Sequence, residues 1–380
     1  MIETISKSKV PVNVERLLEN QLKKWEGGGY HPRGIAEYIS NSDDSYRRLN
    51  KFFGQKIIVE VHTRNSKKIE KLIIQDFAEG MSYEDLENKF FQYFESFSGW
   101  ERGEKVTGRF GTGGKAYAIM NFRHCSIISI QNGKECKAWF QWDAKNKEII
   151  KGYDNGGYKD KKVQNRNGTT IILESSIKVT HPLQEFVVQL EKLPRIRHIL
   201  KNQEVLFRII NKKSVEEIQL KYFEPDSSSA KKEWRFLLPN NLKNENGYSN
   251  ELVLRYFEKP LGENAFIDLT DGISSIEDLP VSSFDGRPFS KSFNGEITIT
   301  RLMNSTAVKE NRRGLEEGDD LTEEIKQFIK EKVSATITEV EALSIPLMLT
   351  HHSGHVDPPL LKRSIIVRTL RLKIWFDIFN

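Results

Sequence analysis

Residues 98–115 hold six glycines and six charged side chains in eighteen positions. So much backbone freedom and so little apolar content argue against one regular helix or strand running through it. Patterned chain lies on both sides of this loop. Before it, Val14, Leu17, Leu18 and Leu22 have helical spacing up to the Gly27-Gly28-Gly29 break, and a second helix is predicted over about 33–53. Residues 56–62 and 69–75 read as strands, and 83–97 as a helix. After it, a helix is predicted at about 114–122. Strands at 124–130 and 137–142 follow, joined near Asn132-Gly133, a hairpin dipeptide. Beyond a polar, basic loop at 151–168 comes a strand at 169–174. The first 175 or so residues therefore mix helices with a sheet, an α+β pattern.

The chain has 380 residues, enough for two domains at roughly 100–200 residues each. A helix at 183–192 and Pro194 mark the expected boundary. Residues 203–210, 217–223, 251–257 and 295–303 are strand candidates of a second unit. Residues 321–333 form an amphipathic helix, with Asp319 and Asp320 where the helix dipole favours negative charge. The division expected is 1–180, 181–345 and a tail, 346–380, whose block 365–379 is apolar and basic. No repeat of solenoid length is evident.

Lys and Arg total 58 against 53 for Asp and Glu, a surplus too diffuse to argue for nucleic acid by itself. Two cysteines, Cys125 and Cys136, exclude a disulfide scaffold and a four-thiolate zinc site. Both are expected to be buried small apolar residues. No run approaches the ~18 apolar residues of a membrane span, and the first residues carry acid where a signal peptide carries base. A cytoplasmic protein without a membrane partner is the expectation.

Four short segments carry candidate chemistry. The first is Glu37-Tyr38-Ile39-Ser40-Asn41-Ser42-Asp43-Asp44-Ser45. Glu37, Asn41 and Asp44 share one helical face. A carboxylate beside a carboxamide suits metal-assisted hydrolysis, because the amide oxygen is a hard neutral ligand for Mg²⁺ and the carboxylate can deprotonate water. A solvated helix face carries such pairs too. The second is Asp76-Phe77-Ala78-Glu79-Gly80-Met81, at the end of a strand, where a carboxylate can accept a hydrogen bond from the amino group of a base, or simply cap a helix. The third is Gly108-Arg109-Phe110-Gly111-Thr112-Gly113-Gly114-Lys115-Ala116. Small residues let backbone N–H groups approach phosphates. It fails the P-loop pattern, since Ala116 follows the lysine and Arg109 stands where glycine is required. It fits the dinucleotide fingerprint in letters but no strand precedes it. The fourth, Asn167-Gly168-Thr169-Thr170, is a turn entering a strand.

In this order the four segments resemble the nucleotide-binding domain of the GHKL ATPases, the group of gyrase B, the ninety-kilodalton heat-shock chaperones, histidine kinases, MutL and the MORC proteins. The first segment is similar to the chaperone form of the Glu-x-x-x-Asn box and the third to the MORC form of the glycine box. The resemblance covers about 12–180. It implies a Bergerat fold, a two-layer α/β sandwich with ATP held under a mobile lid, followed here by a strand-rich, transducer-like α/β domain. It further implies that Glu37 is the general base and that Asn41 coordinates Mg²⁺. Asp76 would bind the adenine amino group with Thr169 in support, and Gly80 and Met81 would shape the adenine pocket. Asp44 would lie with the nucleotide-binding group. Residues 82–107 would form the lid. Gly108, Gly111, Gly113 and Lys115 would hold the phosphates. Two departures stand out: Ala78 replaces a glycine of the second box, which would strain a turn needing positive φ, and Ser45 stands where the chaperone form has alanine.

The order of an ATP domain before a strand-rich one is similar to the gyrase–chaperone–MutL–MORC side of the family. There a basic residue of the second domain reaches the terminal phosphate; Lys309, Arg312 or Arg313 is placed to do so, and a solvated loop is the plain alternative. The resemblance implies an ATP-dependent homodimer whose closing lid gates a DNA transaction or anti-phage defence. A chaperone-like ATPase acting on protein clients and a nucleotide sensor with negligible turnover stay open. His351-His352-Ser353-Gly354-His355 has no spaced partners for a metal site.

Overall fold

The computed structural model describes residues 30–64, 68–91, 113–122, 124–143, 145–146, 148–154, 161–162, 166–178, 182–222, 227–245, 247–309 and 314–351. The chain opens with helix α1 (Tyr30–Arg48), followed by strands β1 (Lys56–Thr63) and β2 (Lys68–Asp76). A helical turn α2 (Tyr83–Asp85) widens through Leu86–Phe90. Helix α3 (Gly113–Tyr117) continues in a wider turn through Ala118–Phe122. Strands β3 (His124–Gln131), β4 (Lys134–Asp143), β5 (Glu148–Tyr153), β6 (Lys161–Lys162) and β7 (Gly168–Lys178) follow, then helices α4 (Leu183–Glu191) and α5 (Pro194–Asn202) and strands β8 (Glu204–Ile210) and β9 (Val215–Gln219).

These strands form one nine-stranded sheet in the order β5-β4-β3-β7-β2-β1-β8-β9, with β6 pairing to β4. Among the described residues of this sheet only the β1–β8 pair is parallel, which requires a crossover, and α4 and α5 supply it. In β1, β2 and β3 inward residues such as Val61, Ile74 and Ile127 are buried while their neighbours are half-exposed, the alternation of a sheet covered on one face. The cover is helical. Ile35 and Ile39 of α1, Tyr117 of α3, Phe186 of α4 and Ile196 of α5 share one core with those strands. The result is the two-layer α/β sandwich expected. Asn132 (φ 51) and Gly133 (φ 72) form the tight β3–β4 turn that the dipeptide foretold.

Two expected boundaries differ. The strands at 204–219, assigned above to the second unit, complete the first sheet: Val205 to Ile210 lie beside Ile57 to His62. The first sheet therefore ends near 219 rather than 180. A second, five-stranded sheet runs β10 (Lys232–Leu237), β11 (Glu251–Tyr256), β14 (Phe293–Thr298), β12 (Phe266–Thr270), β13 (Ser275–Pro280). A one-turn helix, α6 (Val281–Phe284), follows β13. Against this sheet lies α7 (Asp320–His351), whose Leu321, Ile325, Ile329, Val333 and Ile337 recur every four residues and are buried. Asp319 caps it, its Oδ1 accepting from the Leu321 and Thr322 amides at 3.0 and 3.2 Å. The helix runs on to His351, past the expected tail boundary at 345. The helix expected at 12–24 lies outside the described residues.

Candidate nucleotide site

Close approach of α1 to α3 positions the first segment. A Cβ on Gly34 would stand 2.2 Å from the Tyr117 ring, so only glycine allows this crossing. Four residues on, the Tyr38 hydroxyl donates to the Gly114 carbonyl at 2.6 Å. Tyr38, Ser42 and Ser45 lie at i, i+4 and i+7, one stripe of the helix. Ser42 Oγ donates to Asp76 Oδ2 at 3.1 Å and Ser45 Oγ to Glu79 Oε1 at 3.3 Å. Arg48 Nε donates to the same Glu79 oxygen at 2.5 Å. Ser45, the departure from the chaperone form, thus has a partner in the second segment. Glu37 and Asn41 each precede a residue of that stripe and occupy the neighbouring one. Asn41 is exposed, Glu37 is half-buried and Asp44 is buried.

Asp76 closes β2 where β7 begins and β3 ends: Gln75 pairs with Thr170, and Ile130 with Gly168. Its carboxylate is buried. Oδ1 accepts from the Ala78 and Thr169 amides at 3.0 and 3.2 Å, and Oδ2 from Ser42. A carboxylate offers about four acceptor sites, so three bonds leave room for one more donor. Burial pushes the Asp76 carboxyl up to about 6, against the pull of these hydrogen bonds. The turn beyond it is held by Tyr46, whose hydroxyl accepts from the Phe77 amide at 2.8 Å and donates to the Lys56 carbonyl at 2.7 Å.

Glycine is required at two points of this rim. Gly80 has φ +69, and a Cβ there would stand 2.0 Å from the Ile130 carbonyl oxygen. A Cβ on Gly168 would meet the Asp76 carbonyl oxygen at 2.3 Å. Ala78, the other departure, is not strained: it is absent from the positive-φ residues, buries its methyl in the core and donates its amide to Asp76. Met81 is half-buried against the core, its amide donating to Ser129 Oγ at 2.6 Å. The four segments thus converge. Segment one touches segment two through Ser42 and segment three through Tyr38, while segment two touches segment four through Thr169.

Residues 32–170 match the family described as histidine kinase-, DNA gyrase B-, and HSP90-like ATPases. The chain carries a GHKL ATPase domain. A comparison with curated proteins found no match.

Within that domain Gly113 and Lys115 lie in the first turn of α3. Lys115 Nζ sits 5.2 Å above the Phe90 ring, joining the glycine box to the start of the expected lid segment. That segment is anchored at its root. Ser82 and Asp85 form a reciprocal capping box. Glu87 accepts from Lys151 Nζ and from the Tyr153 hydroxyl, both at 2.6 Å, which holds its carboxyl below the usual range. Gly108, Gly111 and residues 92–107 of the expected lid lie outside the described residues.

A contact not foreseen from sequence involves the expected general base: Glu37 Oε1 pairs with the Arg195 guanidinium of α5 at 2.9 Å. Ser42, Tyr46 and Ser129 were missed as well. The hydroxyls of Ser42 and Ser129 carry no signal until the strands they meet are known. Lys309 lies in the second unit, beside the Val308–Leu315 bridge, its amide donating to the Gly314 carbonyl at 3.1 Å. No contact recorded among the described residues joins it to the four segments, and Arg312 and Arg313 lie outside them. Among the described residues no cluster of three His, Cys, Asp or Glu forms an all-protein metal cage. Mg²⁺ does not need one. It is commonly held by one or two protein oxygens together with substrate phosphates and water, so an exposed carboxamide at Asn41, near a rim on which Cβ atoms are excluded, fits that ion. Cys125 and Cys136 are buried, and burial pushes the Cys125 thiol up, away from reactivity. No helix of the described residues is long and apolar enough to cross a membrane.

Proposed function

We propose that the protein binds ATP with Mg²⁺ on the rim of β2, β3 and β7 and hydrolyses it. The observation that carries this reading is the buried Asp76 carboxylate, held by Ser42, Ala78 and Thr169 with one acceptor position to spare. That position suits the adenine amino group, a donor. Gly80 and Met81 form the floor beside it. Gly113 and the lysine at 115 face the phosphates, with Gly108 and Gly111 completing the backbone cradle and Asp44 supporting the helix end of the site. Asn41 would hold Mg²⁺, which offsets phosphate charge when bound. Glu37 orients a water and takes its proton as the water attacks the terminal phosphorus; hydroxyl oxygen joins phosphorus and ADP leaves.

Residues 82–107 act as the lid on this reading, rooted by Glu87 on β5. Closure over ATP favours a homodimer, and Lys309 of the second, transducer-like unit reaches the terminal phosphate in that state. Such a gate requires ATP to bind the closed form better than the open one. We place its output in a DNA transaction of the kind used in repair or anti-phage defence. What favours a polyanion over an apolar client is the local basic sequence Lys159 to Arg166 between β5 and β7, and not the diffuse net charge. The test is ATP turnover with duplex DNA at 50 and 200 mM salt. Stimulation at low salt that fades at high salt supports the reading. Stimulation by an unfolded protein client and not by DNA transfers the protein to the chaperone-like class.

A further inference from the structure

Helix α5 begins against its own electrostatics. Leu193 precedes it, Pro194 is its first residue, and its first turn contains no acid. Instead Arg195 and Arg197 stand at the positive end of the dipole, where cations are disfavoured. Each has found a carboxylate on a different part of the molecule. Arg195 pairs with Glu37 of α1 at 2.9 Å, with side chains only 20% and 28% exposed. Arg197 pairs with Asp278 of β13 in the second sheet, and its guanidinium lies 4.4 Å from the Phe266 ring of β12. Two residues along a helix is a turn of about 200°, so the two arginines project to opposite sides. Between them Ile196, Ile199 and Leu200 are buried. One residue past the end of α5, the Gln203 side-chain Nε2 donates to Asp43 Oδ1 of α1 at 3.0 Å. The helix is thus fixed at both ends and on two sides, and Arg195 is its one recorded contact with the expected base.

We propose that Arg195 is a positioning residue for Glu37, a role that rests on the ATPase reading above. A glutamate on a half-exposed helix face has three side-chain torsions to fix before it can hold a water in line with phosphorus. The guanidinium on Oε1 fixes them and leaves Oε2, which has no recorded partner among the described residues, to take the proton. Arg195 touches neither nucleotide nor water in this account. Its removal releases the carboxylate without altering the adenine rim, where binding resides. Small displacements of a reacting group cost up to about 100-fold in rate.

The experiment uses the full chain. Steady-state ATP hydrolysis and calorimetric binding of a non-hydrolysable ATP analogue are measured for wild type, Arg195→Ala, Arg195→Gln, Arg195→Lys and Glu37→Ala, with melting temperatures as a folding control. Arg195→Ala and Arg195→Gln are expected to lower kcat about 10–100-fold while KM and analogue affinity stay within about twofold, and Arg195→Lys, which keeps the charge, to recover part of the loss. Should Arg195→Ala not fold, the Gln and Lys pair carries the same comparison. Unchanged or faster turnover on removing the guanidinium overturns the proposal, as does a loss of analogue affinity equal to the loss of rate. Wild-type turnover that Glu37→Ala does not reduce is a different failure: it removes the base itself, and the ATPase reading with it.

Discussion

Replacing Asp76 with asparagine separates what the site does for binding from what it costs the fold. The substitution is nearly isosteric. The side-chain oxygen can still accept from Ala78 and Thr169 at the Oδ1 position, and the new amide can donate to Ser42 Oγ. What disappears is a buried negative charge. Its pKa rises from 3.8 to about 6 on burial, so the folded state holds its proton more tightly than the unfolded one. A group raised in this way adds stability below about pH 3.8 and loses it as pH climbs through about 6. At ~1.36 kcal/mol per pH unit the gap is worth about 3 kcal/mol above pH 6. Asp76→Asn should therefore match wild type near pH 4 and exceed it at pH 7–8 by up to about 3 kcal/mol, or roughly 6–10 °C in melting temperature. The same change places a donor against the donor of the adenine amino group, and ATP affinity should fall at least about 100-fold. Thermal unfolding at pH 4, 6 and 8 beside calorimetric ATP titration reads both. A variant less stable than wild type at pH 8, or one that binds ATP normally, would refute the reasoning.

His31 titrates in the opposite sense. Burial beside Tyr117 and Phe186 lowers its pKa to about 4, so stability is present above pH 6.5 and is lost as pH falls toward 4, by about 3 kcal/mol. In pH-dependent melting His31→Gln should remove that rise in stability with pH and leave the opposing fall from Asp76 uncompensated; because Asp76 and His31 offset each other between pH 4 and 6, the wild-type profile there should be flatter than that of either variant. Gly80→Ala joins a disfavoured φ of +69 to a Cβ 2.0 Å from the Ile130 carbonyl; a loss of more than about 2 kcal/mol in urea unfolding is expected, together with weakened ATP binding.

How much of this was legible in the chain depended on whether the chemistry was local. The turn from Asp76 to Met81 could be read because a carboxylate, a glycine and their spacing specify it within six residues. The Asn132-Gly133 hairpin was local in the same way. Strand β10 escaped notice because Lys232, Glu233 and Arg235 make it look like a solvated loop. Its charges are satisfied across the sheet, Arg235 by Glu251 at 3.1 Å and Glu233 by Arg255 at 2.8 Å, so the strand forms without an apolar signature. The first sheet reaches 219 because β8 pairs in parallel with β1 across some 140 residues, and no local pattern records a partner that distant. Ala78 raised an expectation of strain that vanished once the left-handed position of the turn fell on Gly80. Arg195 was invisible for the reason β8 was: its meaning lies in Glu37, which only the packing of α5 on α1 brings near.

The central claim is that one helix supplies the base for cleavage while a different strand end supplies affinity. The direct test is phosphate release and ATP binding measured side by side on wild type and Glu37→Ala. The account predicts that the variant binds ATP within about threefold of wild type and releases phosphate at least about 100-fold more slowly. Equal phosphate release by the two proteins, or no ATP binding by wild type, would contradict it.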